Sequence, residues 1–314
     1  MRKILSGLIL LATLSCGKDE VVATDADVAI TDWLTTMNIT ATRDASGIYY
    51  YPIVSNPAGT AVSAESVLAI YYTLSDLEGN VLAAHQRANG DSLLLQQGTG
   101  AVYPVGLDAG LTFMRAGETF GIILPPAQGY GDLTSGAINS ALITLLEVEV
   151  TAVQSEAAVY AQELTAINNY ILSENLNDTI ANPLNRVEQF VSGLSYKRIS
   201  KGFGPLPVNG ETIVVNYTGT FLNKSTFDSE TNFRYTIGSN VPRPLAPGFE
   251  FGISLMQPNE RSLVIVPASQ AYQESARVIP AFITDDLIAD FIIPDYVSSI
   301  PPYTTLVFDI TRFD

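Results

Sequence analysis

Five landmarks in the first half of this chain return in the second half at a nearly constant spacing. The pentapeptide SGIYY at 46–50 returns as SGLSY at 192–196, and AIYYT at 69–73 returns as VVNYT at 214–218. Gly106, Leu107 and Met114 are matched by Gly248, Phe249 and Met256, and Pro125 and Tyr130 by Pro267 and Tyr272. The offset is 146 residues at Gly47/Gly193 (193 − 47), 145 at Tyr72/Tyr217 (217 − 72) and 142 at Tyr130/Tyr272 (272 − 130). Strand–turn–strand text aligned by accident does not hold so steady an offset. The chain reads as two copies of one domain, and 314 residues suit two domains of ordinary size. The copies span 41–153 and 192–314. Hydrophobic residues make up 47% and charged ones 15%, so each copy can bury a core.

Local patterns fill in both copies. The spacing of Ile30, Trp33, Leu34 and Met37 predicts a short helix over 27–38. Residues 46–54 and 66–74 read as strands, and DLEGN at 76–80 as a hairpin turn into a strand at 81–84. In the second copy Pro247-Gly248 introduces a helix whose Phe249, Ile253 and Met256 share one face. A strand follows over 260–267. Residues 154–191 form a helical linker, with Ser155 as its N-cap. That helix joins the copies or packs on the second; a dimerisation helix is the alternative.

The chemistry gathers in the second copy. IVVNYTGTF at 213–221 and STFDS at 225–229 read as two strands that bring Tyr217, Phe227 and Asp228 together. PGFEFGISLM at 247–256, IVPASQAY at 265–272 and IPPYTTLVFD at 300–309 follow in order. Taken together, over roughly 192–314, these stretches resemble an FKBP-type peptidyl-prolyl isomerase domain. The family pattern runs YTG, FDSS, a helix entered through GW or GF, AYG, then IPP..TLVFD. The resemblance implies an α+β fold, with an antiparallel sheet wrapped around a short α-helix in each copy. It also implies cis–trans isomerisation of Xaa–Pro bonds in proline-containing polypeptides.

That reaction needs no nucleophile, metal or cofactor. Its barrier is a twist about an amide, about 18–20 kcal/mol without help. A site that binds the twisted amide better than either planar form lowers it, and an apolar hollow with a few fixed polar groups suits the task. By resemblance, Tyr217, Phe227, Asp228, Tyr272 and Phe308 would carry catalysis. Phe233, Leu245, Ala246, Phe249 and Ile300 would hold the substrate, with Phe249 as a floor where the family often has Trp. Taken singly, each ring is also what an ordinary strand core contains, and an aspartate also caps turns. The ordered set is what carries the reading.

There are departures. Gln273 stands where the family has Gly, and residues 273–299 form an insertion of 27 residues (299 − 273 + 1) rich in apolar side chains. Such a loop is expected to extend or to cover the pocket it follows. The first copy keeps Tyr72 and Tyr130, but Leu82-Ala83 replace Phe-Asp, Leu107 replaces the floor ring and Leu146 the late Phe. IPP becomes Ile138-Asn139-Ser140. The first copy is therefore expected to be inactive, a scaffold or a polypeptide-binding module.

The N-terminus reads as a lipoprotein signal. A basic start and a short apolar run precede Cys16, the sole cysteine, which resembles a bacterial lipidation site. Residues 1–15 would be the signal peptide and 16–40 a lipidated tether with a short helix, placing the protein at a cell-envelope membrane, the outer one in the first instance. A net charge of −16 argues against nucleic acid, whose binding rests on Lys and Arg. The only histidine, His85, reads as a solvated residue beside a turn. A non-catalytic envelope chaperone or polypeptide-binding lipoprotein is the alternative to an isomerase; a surface adhesin-like tandem repeat is a further one.

Overall fold

The computed structural model describes residues 24–99, 102–177, 186–239, 245–272, 277–293 and 300–313. Cys16 and the stretch expected to be a signal peptide lie outside them. Runs of β-branched and aromatic residues form the long strands of both halves. Thr212–Phe221, for example, turns Ile213, Val215 and Tyr217 inward and alternate residues outward.

The first half holds α1 (Asp25–Thr36), β1 (Thr42–Arg43), β2 (Tyr49–Val54), β3 (Val67–Asp76), β4 (Val81–His85), β5 (Leu93–Gln96), β6 (Val102–Tyr103), α2 (Val105–Leu111), β7 (Glu118–Leu124) and β8 (Thr144–Gln154). The second holds α3 (Glu156–Ser173), β9 (Glu188–Gln189), β10 (Ser195–Ser200), β11 (Thr212–Phe221), β12 (Thr226–Thr236), α4 (Pro247–Ser254), β13 (Arg261–Val266), β14 (Arg277–Val278), α5 (Thr284–Ala289) and β15 (Leu306–Arg312). The chain is α+β, as expected.

The two large sheets share one topology. Strand order is β1-β2-β7-β8-β3-β4 in the first, with β5 also on β3, and β9-β10-β13-β15-β11-β12 in the second. Their neighbours run antiparallel. Register repeats as well. Tyr72 faces Val148 and Leu74 faces Leu146, just as Tyr217 faces Ile310 and Gly219 faces Phe308. The repeat seen in the sequence is thus a repeat of pairing.

Each sheet carries a short helix on its inner face. Helix α4 lies close to β13 because it presents glycines to it. A Cβ on Gly248 would fall 2.3 Å from Val266 Cγ1, and one on Gly252 would fall 2.8 Å from Val264 Cγ1. Phe249 and Ile253 are buried beneath the helix, on the shared face that their spacing implied, and Met256, just past the helix end, is buried as well.

Each sheet also has a helix on its outer face. Ile30 and Leu34 of α1 pack with Tyr49 and Ile123. Ile167 and Ile171 of α3 pack with Ile265 and Val307. Ile123 and Ile265 occupy matching sites of the two sheets, so the helix expected as a linker is the counterpart of α1. Ser155 caps it, accepting from the Ala158 amide at 3.3 Å. Glu163 pins it to the second half: its Oε1 accepts from the Ala268 amide at 2.7 Å and from Thr305 Oγ1 at 2.6 Å.

Helix α1 is tied down by a buried carboxylate. Asp27 accepts from the Thr24 amide at 3.0 Å, Arg43 Nε at 3.0 Å and the Tyr49 hydroxyl at 2.9 Å. The backbone bond from Thr24, with those from Arg43 and Tyr49, outweighs burial and holds the Asp27 carboxyl well below the usual range. Asp27→Asn should lower the unfolding free energy by about 1–3 kcal/mol at neutral pH. A depressed folded pKa gives stability that is full above the unfolded value of about 3.9 and is lost as pH falls through the folded one. Denaturant unfolding at pH 7 and pH 3 should therefore show the gap between wild type and variant narrowing in acid; a gap that stays constant or widens would refute the assignment.

Candidate functional site

Strands β11, β12 and β15 and helix α4 surround a narrow open hollow in the second half. Its walls are Tyr217, Phe227, Asp228, Leu245, Ala246, Phe249, Tyr272 and Phe308. All eight were expected at the site from the sequence. Phe233 and Ile300, the other two, are buried in the surrounding core and support the walls without lining the hollow.

The rings meet edge to face. Phe249 and Phe308 have centroids 4.7 Å apart, Tyr217 lies 5.1 Å from Phe249 and 6.2 Å from Phe308, and Phe227 lies 5.6 Å from Phe308. Phe233 backs Tyr217 at 5.7 Å. Such contacts add about 0.5–1.5 kcal/mol per pair beyond area burial and fix ring orientation. Tyr217, Phe249 and Phe308 are buried, while Phe227, Asp228, Leu245 and Tyr272 are partly exposed at the opening.

One carboxylate faces this apolar cup. The Tyr217 hydroxyl donates to Asp228 Oδ2 at 2.7 Å. Register puts Asp228 opposite Gly219, and Gly219 opposite Phe308. Gly219 is a position whose role the motif alone did not reveal. A Cβ there would sit 2.6 Å from Phe227 Cζ, so the missing side chain is the berth of the Phe227 ring. The signal was available as the Gly of the YTG motif.

The arrangement can hold an apolar segment with a polar group at its lip. Among the described residues no cluster of three or more His, Cys, Asp and Glu could hold a metal, and no helix is long and apolar enough to cross a membrane. His85 lies within β4 opposite Tyr72, partly buried, with its ring stacked on Tyr71 at 5.8 Å and Nε2 2.8 Å from the Asp91 carbonyl oxygen.

The insertion departs from expectation. Residues 277–293, its described part, neither extend nor cover the hollow of their own copy. They run to the first half, where Val278, Ile279, Ile283 and Leu287 are buried in that half's core. Burying side chains of this size gains about 1.5–3 kcal/mol each. Strand β14 pairs in parallel with β6, Arg277 facing Val102 and Val278 facing Tyr103. The Ile279 amide donates to the Tyr103 carbonyl at 2.9 Å, and the Tyr130 hydroxyl donates to the Ile279 carbonyl at 2.7 Å. Burial raises the Tyr130 pKa far above the usual tyrosine range, so the phenol stays a donor. Arg277 donates to the Leu94 carbonyl at 3.2 Å. Burial pushes its guanidinium down to about 10, so it stays charged at neutral pH.

The first half's equivalent positions, Tyr72, Leu82, Ala83, Leu107, Tyr130 and Leu146, all belong to that core. It carries no carboxylate at Ala83.

Comparison with known proteins follows this geometry. The family model described as FKBP-type peptidyl-prolyl cis-trans isomerase matches residues 59–151 and 204–312, one segment in each half. The FKBP-type peptidyl-prolyl cis-trans isomerase FkpA of Escherichia coli K12 is 24% identical over 209 residues, covering 64% of this chain and 68% of the relative. The outer membrane protein MIP of Legionella longbeachae is 36% identical over 81 residues, covering 26% of this chain and 34% of that protein. A crystal structure of FkpA from Escherichia coli matches 51% of this chain and 63% of its own, at 21% identity and a TM-score of 0.34. The three FKBP domains of wheat FKBP73 match 88% of this chain and 98% of their own, at 13% identity and a TM-score of 0.31.

The berth at Gly219 can be tested directly. In a crystal structure of Gly219→Ala the Phe227 ring should move away and its contact with Phe308 should lengthen from 5.6 Å. Stability should fall by about 1–3 kcal/mol, the usual cost of an added methyl in a packed site. An unmoved ring would refute the account.

Proposed function

Since this chain belongs to the FKBP-type peptidyl-prolyl cis-trans isomerase family, we propose that its second half catalyses rotation about Xaa–Pro bonds in polypeptide substrates. The open aromatic hollow with Asp228 on its lip is the observation that carries this reading. No described residue of the insertion lines it.

The mechanism follows from what a twisting amide needs. Planar amides are charge-separated and well solvated; a twisted one is less so. Phe249, Phe308, Phe227 and Tyr217 strip water from the prolyl ring and its preceding carbonyl. That environment favours the twisted form over either planar one, which is the differential binding catalysis requires. Asp228, oriented by the Tyr217 hydroxyl, presents negative charge beside the rotating carbonyl carbon. The Tyr272 hydroxyl holds a substrate carbonyl at the opening, and Ile300 backs the wall behind it. Leu245 and Ala246 form a low wall that admits varied residues before proline. Proline isomerisation takes tens to hundreds of seconds unaided, so such a site assists proteins whose folding waits on it.

The first half, with Ala83 for the carboxylate and Leu82, Leu107 and Leu146 for rings, does not catalyse. The clients are exported proteins, and acyl chains on Cys16 hold the protein to the cell envelope. The name of the Legionella longbeachae relative, an outer membrane protein, supports that placement. A purely polypeptide-binding role is the second reading, favoured by the occupied first half alone.

Turnover of a proline-containing peptide by the mature soluble chain tests the assignment. Asp228→Ala and Phe308→Ala should each lower kcat/KM about 10- to 100-fold, in line with losing one transition-state contact. Rates untouched by both would defeat the site assignment. Suppression of aggregation that survives in both variants would favour the second reading.

A further inference from the structure

We propose that the first half retains a working polypeptide-binding cleft, and that its resident ligand is the apolar Xaa–Pro stretch 277–287 inserted in the second half. The inference stands whether or not the second half catalyses.

The occupant sits where the repeat places a substrate. Tyr130 matches Tyr272, the residue at the opening of the second half's hollow, and Tyr130 is the residue whose hydroxyl grips the Ile279 carbonyl. Ile279 precedes Pro280, so the bond held by the tyrosine is that of a residue before proline. Tyr72, which matches Tyr217, is buried in the same core. Val278 and Ile279 share one buried cluster with Tyr72, Leu107, Tyr130 and Leu146, and the partly buried Leu82 and Ala83 pack against it; the six are counterparts of hollow-lining residues.

The mode of holding is that of peptide recognition. Two residues of β14 add to the edge of β6, the Ile279 amide donates to the Tyr103 carbonyl and Arg277 donates to the Leu94 carbonyl. Most of these bonds go to backbone, as in strand addition, while pockets take alternate side chains. Ile283 and Leu287 then seat a short helix on the same surface. Backbone bonds accept any extended segment, and the pocket selects apolar side chains before proline. The loss of the carboxylate and rings removes what a turnover site needs and leaves what a binding site needs.

A tethered ligand works at an effective concentration of about millimolar. Free polypeptides are therefore held off until one of high affinity, or many at once, displaces it. The class of ligand is an extended apolar polypeptide containing Xaa–Pro.

The test uses the full mature chain and a fluorescein-labelled peptide of residues 277–292, RVIPAFITDDLIADFI. The combined variant Ile279→Asp, Ile283→Asp and Leu287→Asp empties the cleft. It should bind the peptide at least tenfold more tightly than wild type, and adding Tyr130→Phe should weaken that binding about 5- to 10-fold, the worth of one buried hydrogen bond. A peptide of the same composition in scrambled order should bind at least tenfold more weakly. Equal binding by wild type and variant, or by native and scrambled peptides, would overturn the proposal. Hydrogen exchange on the wild-type chain gives a readout that no variant's folding affects. Excess unlabelled peptide should speed exchange of the amides of Val278 and Ile279, and unchanged exchange at saturating peptide would make the segment a fixed tie and end the proposal.

Discussion

The hollow depends on how closely a short helix can lie on a sheet. Gly248 and Gly252 leave no Cβ between α4 and the valines of β13, and any other residue at Gly248 would collide with Val266. That approach brings Phe249 to 4.7 Å from Phe308 and 5.1 Å from Tyr217. Raise the helix by a methyl group and the floor parts from the walls. The first half obeys the same constraint with Gly106 and Gly110 against Leu124 and Ile122. The scaffold is thus common to both halves, and the difference between them lies in what the scaffold presents.

That difference has one physical root. An apolar cup open to water is costly unless something fills it or function retains it. In the second half, aromatic rings narrow the cup and a carboxylate wets its lip. In the first, aliphatic side chains leave it greasier, and the chain itself closes it with Val278, Ile279, Ile283 and Leu287. Where the second half has Asp228 the first has Ala83, and there a segment of the chain fills the space.

Much of this was legible in the residues. The offset between Tyr72 and Tyr217 announced a repeat, and register bears it out to the level of Leu146 against Phe308. The eight lining residues follow from motifs whose spacing reflects strand pairing. Two things could not be read. The destination of 277–293 is set by shape and by the tyrosine that awaits it, 149 residues away in sequence, and apolar composition says only that the segment must be buried somewhere. The kinship of α3 to α1 was equally hidden, because helices that cover the outside of a sheet share spacing and not letters. Tyr72 and Tyr130 were the clues available: polar rings present where the other matching positions are aliphatic.

The inserted strand has a consequence for how the chain is made. A ribosome emits the first half before β14 exists, and domains usually fold in that order of appearance. Here the earlier half cannot complete its interior until the later one is nearly finished. It must wait with an unfilled cleft, exposed for the time it takes well over a hundred further residues to emerge. The two halves therefore mature together, and the half that is synthesised first becomes whole last.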